Sequence, residues 1–272
     1  MKFLKGVFGF YINSSIHVAF AVLALFLITV FEYKLTETYA ISAFIFLGAL
    51  TGYNFVKYAK VAGLNHRSLT STLKTIQIFS GVCFILLVII AFQLSFITLL
   101  ITGLFGIATF LYAVPFVKHR NLRKFSGIKI FVVAFVWAGI TVLIPFVASN
   151  TVISADVMLS FFQRILIVVV LILPFEIRDI PYDSANLRTL PQQLGIRNTK
   201  LLGILILLFC LVIEFYKESS EAAYIISLIF FTAVLGGMLM ISKADQKRYF
   251  ASFWAEGLPL LWLVSYILLG KV

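Results

Sequence analysis

The chain has 272 residues, 62% of them apolar and 12% charged, with a formal net charge of +11. Soluble domains run at about 45–50% apolar and about 25% charged, so a globule of this size cannot hide this much apolar surface; a cytosolic enzyme, a disordered chain and a fibrous repeat are excluded. What remains is an all-α polytopic membrane protein, a single domain over 1–272, whose positive charge belongs to loops facing anionic lipid and not to nucleic acid.

A span needs about 20 mostly apolar residues. Nine such runs are predicted, at 12–31, 38–56, 76–93, 95–116, 128–148, 157–176, 200–216, 222–241 and 251–269. The start, Met1–Gly9, is short and basic, and no small-residue cleavage site follows the first run, which therefore reads as an uncleaved helix. His17 in that run reads as a packed or interfacial histidine. Gln93, Leu94 and Ser95 leave almost no loop between the third and fourth runs and predict a tight helical hairpin. Cys83 and Cys210 lie in apolar runs and read as small core residues. Phe131, Phe135 and Trp137 in the fifth run read as packing residues that could also line a cavity. Arg164, one turn into the sixth, is expected to snorkel to the outer interface. Gly236 and Gly237 predict a close helix contact. Glu256, at the start of the ninth, is expected to pair with a loop lysine.

Lys and Arg are divided unevenly among the connections. Eighteen of the 22 fall at the N-terminus and in the loops after the even-numbered runs, and four (Lys34, Arg164, Lys217 and Lys271) fall on the other side. The asymmetry predicts a cytoplasmic N-terminus, as for a protein of the bacterial inner membrane, and an external C-terminus.

Two connections on the basic side are long, about 57–75 and about 177–199, and are read as a cap over a site. The second carries Glu176-Ile-Arg-Asp179-Ile-Pro-Tyr-Asp183, followed by Arg188-Thr-Leu-Pro191 and Gly195. Glu176, Asp179 and Asp183 are spaced i, i+3, i+7 and would share one face if the sixth helix continued, although Pro181 threatens that continuation. Three carboxylates on one face repel unless a cation sits among them, and Mg²⁺ typically joins one or two carboxylates to substrate phosphates. The plain alternative is a solvated helix end neutralised by Arg178 and Arg188. No Walker loop, dinucleotide-binding glycine pattern, nucleophile elbow or zinc signature occurs.

The pattern Arg178-Asp179-Ile180, then Asp183, then Thr-Leu-Pro and Gly195, resembles the second aspartate motif of the UbiA superfamily of intramembrane prenyltransferases. Tyr112-Ala-Val-Pro115, with Lys118 and Lys129 after it, resembles that family's Tyr-x-x-Pro…Lys segment. The resemblance implies a ring of nine helices around a central cavity. It also implies transfer of an isoprenyl group from a prenyl diphosphate to an aromatic or lipid acceptor, with Mg²⁺ held by aspartate motifs on two opposed loops. Carried onto this chain, it gives Asp179 and Asp183 as catalytic residues that bind metal with Glu176, and Tyr112, Lys118, Lys129 and Arg178 around the substrate.

The family's first motif departs. Where Asn-Asp-x-x-Asp-x-x-x-Asp should stand, the chain has Asn54-Phe-Val-Lys57-Tyr-Ala-Lys60-Val-Ala62. The Asn is kept and every Asp is gone. Lysine is itself a phosphate ligand, so Lys57 and Lys60 are expected to bind the diphosphate directly beside Asn54, with one ion only. The competing expectations are ordinary positive-inside lysines in an inactive member that binds a lipid or a partner protein, and, less in keeping with the sequence, a transporter.

Overall fold

The computed structural model describes residues 2–36, 39–62, 71–113, 128–184, 187–218 and 220–270, which form helices and turns without any strand among the described residues. The helices are α1 (Lys2–Asn13), α2 (Ile16–Glu32), α3 (Tyr39–Ala62), α4 (Ser71–Ala91), α5 (Phe96–Ala113) and α6 (Ile128–Ala138). After α6, a π-turn at Gly139–Leu143 leads into α7 (Ile144–Ala148). Then come α8 (Ala155–Asp179), α9 (Leu190–Glu214), α10 (Ala222–Ile241) and, after a π-turn at Phe250–Ala255, α11 (Leu258–Gly270). Packing runs in a circle, α2–α3–α5–α6–α8–α9–α10–α11 and back to α2, with α4 against α3. Helix α2 also touches the 139–143 π-turn and α7, so the circle is closed across its middle. The largest core cluster joins α8, α9, α10 and α11 around Phe231 and Trp262, whose rings stack at 4.4 Å.

Among the described residues seven helices are long and apolar enough to cross a membrane, or eight if α1 and α2 count as one bent span; Phe96–Leu111 is a shorter apolar helix. The expected 12–31 run is not one rod. It breaks at Ser14–Ser15 by 54°. Ser15 has a left-handed φ of 60°, and Ser14 turns its hydroxyl back onto the Phe10 carbonyl at 2.7 Å, closing α1. At Gln93–Ser95 the chain turns in three residues, with Gln93 N–H donating to Ile90 O at 2.9 Å, but the expected tight hairpin is not made among the described residues: α4 and α5 each pack on α3 and not along one another.

Proline and glycine account for the other irregularities. Pro145 and Pro259 have no N–H to give to the residue four before them, and each follows a π-turn that absorbs the mismatch. Gly195 holds φ +77° and kinks α9, a conformation that only glycine takes without strain. Helix α9 therefore begins at Leu190, inside the stretch expected to be loop.

Arg164 corrects another expectation. It is 2% exposed and does not reach an interface. It lies nine residues into α8, about 13 Å along the axis at about 1.5 Å per residue. Its guanidinium donates to Leu25 O (2.7 Å), Thr29 Oγ1 (3.3 Å) and Thr141 Oγ1 (3.4 Å), and lies 5.2 Å from the Trp262 ring centroid. Toward the start of α8, Lys217 is equally enclosed, 2.8 Å from Glu32 and 2.9 Å from Glu214. Gly236 does pack closely, a methyl there meeting Ile204 at 3.0 Å, whereas Gly237 faces open space.

Candidate functional site

The last turn of α8 reaches the end of the bundle that carries most of the basic residues. The helix stops at Asp179; Ile180 still holds helical dihedrals (φ −46°, ψ −47°), and Pro181, which has no N–H to give to Ile177 O, ends the hydrogen-bond ladder. The chain then turns, with Tyr182 N–H and Asp183 N–H both donating to Asp179 O at 2.9 and 2.8 Å. Asp183 thus stands on a turn and not on the continued helix face. Arg178 donates Nε to Asp179 Oδ1 (2.7 Å) and Nη2 to Oδ2 (3.2 Å), a fork that occupies both oxygens. Asp183 Oδ2 is buried without any partner among the described residues. Gln192 steadies this turn. Its amide donates to the main-chain oxygens of Asp183 and Ser184, both at 3.3 Å, and its Oε1 accepts from Thr189 N–H at 3.0 Å.

Glu176, expected among the metal ligands, faces elsewhere. It is 3% exposed and ion-paired to Lys129 of α6 at 2.6 Å. A residue expected to hold the metal and one expected around the substrate therefore neutralise one another. Among the described residues no three His, Cys, Asp or Glu side chains gather as a metal site.

The end of α3 approaches from the other side. Asn54 is buried, and its amide nitrogen donates to Ser14 O (2.9 Å) and Ser80 Oγ (2.8 Å). That assignment leaves Asn54 Oδ1 without a partner among the described residues. Lys57 Nζ and Tyr58 OH both donate to Asn13 O, at 3.2 and 2.8 Å. The three side chains thus tie down the α1–α2 break, and Lys57 sits at the negative end of the α1 dipole. Lys57 also lies within electrostatic reach of Arg178 and Glu256.

Glu256 comes from the turn between the 250–255 π-turn and α11. Among the described residues no lysine lies within ion-pair distance of it; the loop lysines Lys118 and Lys124 and the side chain of Lys60 lie outside them. Its charged neighbours are Lys57 and Arg178, with Tyr11 of α1 close enough to feel its charge. His17 braces this turn. Its Nε2 lies 2.8 Å from Phe253 O, which can only accept, so Nε2 carries the proton and Nδ1 accepts from Tyr11 OH at 2.8 Å. A methyl on Gly257 would meet the His17 ring at 3.1 Å.

Lys118 lies outside the described residues, as do Asn65, His66 and Arg67 and the side chains of Lys60 and Tyr112. Trp137 and Tyr53 are hydrogen-bonded at 2.6 Å, while Phe131 and Phe135 face outward. What the sequence left unassigned at this end is the Glu256 turn and its His17–Tyr11 brace. The signal available was Gly257-Leu258-Pro259 beside an acid in an apolar run.

Among curated proteins no sequence match is found. The fold is similar over the whole length of both chains to a solved structure of a digeranylgeranylglyceryl phosphate synthase in membranes, at a TM-score of 0.58 and 15% identity. The profile of the UbiA prenyltransferase family matches residues 60–264. The match covers most of the chain, and the protein is an integral membrane member of the UbiA prenyltransferase family.

Proposed function

We propose that the protein transfers an isoprenyl group from a prenyl diphosphate to an aromatic or lipid acceptor, at a site on the basic end of the bundle that opens to the cytoplasm. One observation carries the reading: Lys57 of α3 lies within electrostatic reach of Arg178, which forks onto Asp179 of α8, and Asp183, whose buried Oδ2 has no partner among the described residues, follows on the next turn. A diphosphate carries several negative charges and needs positive groups on more than one side. Lys57 and Arg178 supply two such sides, and Lys60, Lys118 and Tyr112 extend them in the sequence. Asn54, with a bare buried oxygen, accepts from an ordered water or a protonated phosphate oxygen. The lipid acceptor class is supported by the fold likeness to a synthase whose name specifies a glyceryl phosphate lipid.

The family's ion is Mg²⁺. The residues fit one such ion: Asp183 Oδ2 is a hard donor buried without a partner among the described residues, and Asp179, four residues earlier, would be a second carboxylate donor if Arg178 turned to a phosphate. They do not fit a second, because α3 offers Asn54 and Lys57 where carboxylates would be required. Glu176 acts through Lys129, holding that ammonium in place. When bound, the ion draws negative charge from the departing diphosphate.

A second reading also has its own observation. Lys57 is already bonded to the α1 carboxyl end and Asp179 to Arg178, an arrangement complete in itself, as an inactive lipid- or partner-binding member would have. The two separate by turnover. Protein in bilayer nanodiscs is given a prenyl diphosphate, Mg²⁺ and extracted membrane lipids, and diphosphate release and prenylated product are measured. The transferase releases diphosphate, and Asp183→Asn lowers the rate at least about 100-fold. Absence of release with every donor length and acceptor pool overturns the proposal.

A further inference from the structure

Glu256 is a carboxylate in an apolar run that receives no hydrogen bond or ion pair of 4 Å or less from any described residue. Side chains of this kind are rare inside a span and are retained for use. Its backbone is no ordinary helix. Pro259 cannot donate to Ala255, the π-turn shifts the ladder so that Glu256 N–H donates to Ala251 O at 3.0 Å, and Gly257 N–H returns to Phe253 O at 3.0 Å. The turn is fixed from two helices. His17 of α2 donates to Phe253 O, Tyr11 of α1 holds His17, and Phe8 of α1 packs edge-on against Phe253 at 5.2 Å. A substitution adding a Cβ at Gly257 has no room, since Phe253 O would lie 2.7 Å away. A rigid, sequence-specific turn thus carries an acid that has no partner among the described residues and lies within electrostatic reach of Lys57 and Arg178.

We infer that Glu256 is the general base of the transfer and takes the proton that the acceptor gives up. This rests on the prenyltransferase reading and adds a catalytic residue to it. The balance is the same for either acceptor. The allylic carbon–oxygen bond breaks and its electron pair leaves on the diphosphate. A ring carbon or hydroxyl oxygen of the acceptor bonds to that carbon, and the hydrogen it carried leaves as a proton to a Glu256 oxygen, and thence to the aqueous end. An acid placed among the phosphate-binding cations would weaken donor binding if it had no other task; a base beside the leaving diphosphate stands where the acceptor atom must come. The titratable and charged groups facing it are Lys57 from α3, Arg178 from α8, Tyr11 from α1 and His17 from α2.

The test compares wild type, Glu256→Gln and Glu256→Asp in nanodiscs, with donor binding measured by calorimetry and turnover measured across pH. Glu256→Gln is expected to bind the donor as tightly as wild type or up to several-fold tighter, because a negative charge beside the diphosphate is removed. Its kcat should fall by about 100-fold or more, the usual contribution of a positioned base. The decline of wild-type rate at low pH should disappear in Glu256→Gln and persist in Glu256→Asp with part of the rate. Turnover of Glu256→Gln within about threefold of wild type, with the same acid limb, overturns the inference and leaves the transferase standing. Donor binding weakened tenfold only in the presence of Mg²⁺ makes Glu256 a metal ligand and overturns it equally. A wild type that neither binds donor nor releases diphosphate overturns the transferase reading itself, and this inference with it.

Discussion

Lys129 of α6 and Glu176 of α8 form an ion pair of 2.6 Å in which the carboxylate is 3% exposed. Losing an enclosed ion pair costs about 3 kcal/mol, the low end for fully buried pairs because Lys129 keeps some water contact. Glu176→Gln is therefore expected to lower the unfolding temperature in detergent clearly, and Lys129→Met with Glu176→Leu to restore most of it. A Glu176→Gln protein as stable as wild type would mean that the pair is not formed.

Arg164 yields a second stability prediction. Leu25 O, Thr29 Oγ1 and Thr141 Oγ1 all accept from it. Arg164→Met keeps the volume and removes three charge-assisted bonds, while Leu25 O still accepts from Thr29 Oγ1 and Thr141 Oγ1 still donates to Trp137 O, so the total loss is expected at about 1–3 kcal/mol. Arg164→Lys recovers only part, since one ammonium does not span the fork. Thermal denaturation in detergent ranks the three proteins, with wild type highest and Met lowest.

At the far end, Lys217 lies between Glu32 and Glu214. Lys217→Met leaves two enclosed carboxylates facing one another, whereas Glu32→Gln leaves the Lys217–Glu214 pair and the Gln163 bond to Glu214 intact. The lysine change should destabilise more than the glutamate change, by about 1 kcal/mol or more. Equal losses in chemical denaturation would place the energy elsewhere.

The α1–α2 break rests on Asn54 donating to Ser14 O. Asn54→Leu fills the space without that donor, and protease cleavage near Ser14–Ser15 should speed up several-fold relative to wild type while a control site in the far-end turn at Asn150 does not change. An unchanged cleavage pattern would show that Asn54 does not hold the break.

The helices that the sequence displayed most openly are those governed by local rules, the apolar runs of span length; the Thr189-Leu-Pro191 start of α9 was read as loop, although a capping threonine followed by proline is itself a local helix-start signal. The site was legible in its residue types and less so in its partners. Glu176, Asp179 and Asp183 share a face only on a continuous helix, and Pro181 ends it; whether Glu176 faces a metal or Lys129 depends on how α6 lies against α8, which no spacing encodes. Arg164 looked like an interfacial arginine by its distance from the end of a run. Its acceptors come from α2 and from the π-turn before α7, far away in sequence. The Ser14–Ser15 break was hidden because serine is tolerated in helices, and only tertiary bonds from Asn54, Lys57 and Tyr58 give the exposed carbonyls of α1 their partners.

The central claim is that a prenyl diphosphate is held between Lys57 on α3 and the acidic motif on α8. Calorimetric titration of a prenyl diphosphate into wild type and Lys57→Ala in detergent, each with and without Mg²⁺, tests it directly. The account predicts binding by wild type that Mg²⁺ strengthens, and binding by Lys57→Ala that is at least about tenfold weaker, since a charge-assisted bond of about 1.5 kcal/mol or more is lost. Equal binding by the two proteins, or no binding by either, would contradict it and leave Lys57 as the cap of α1 alone.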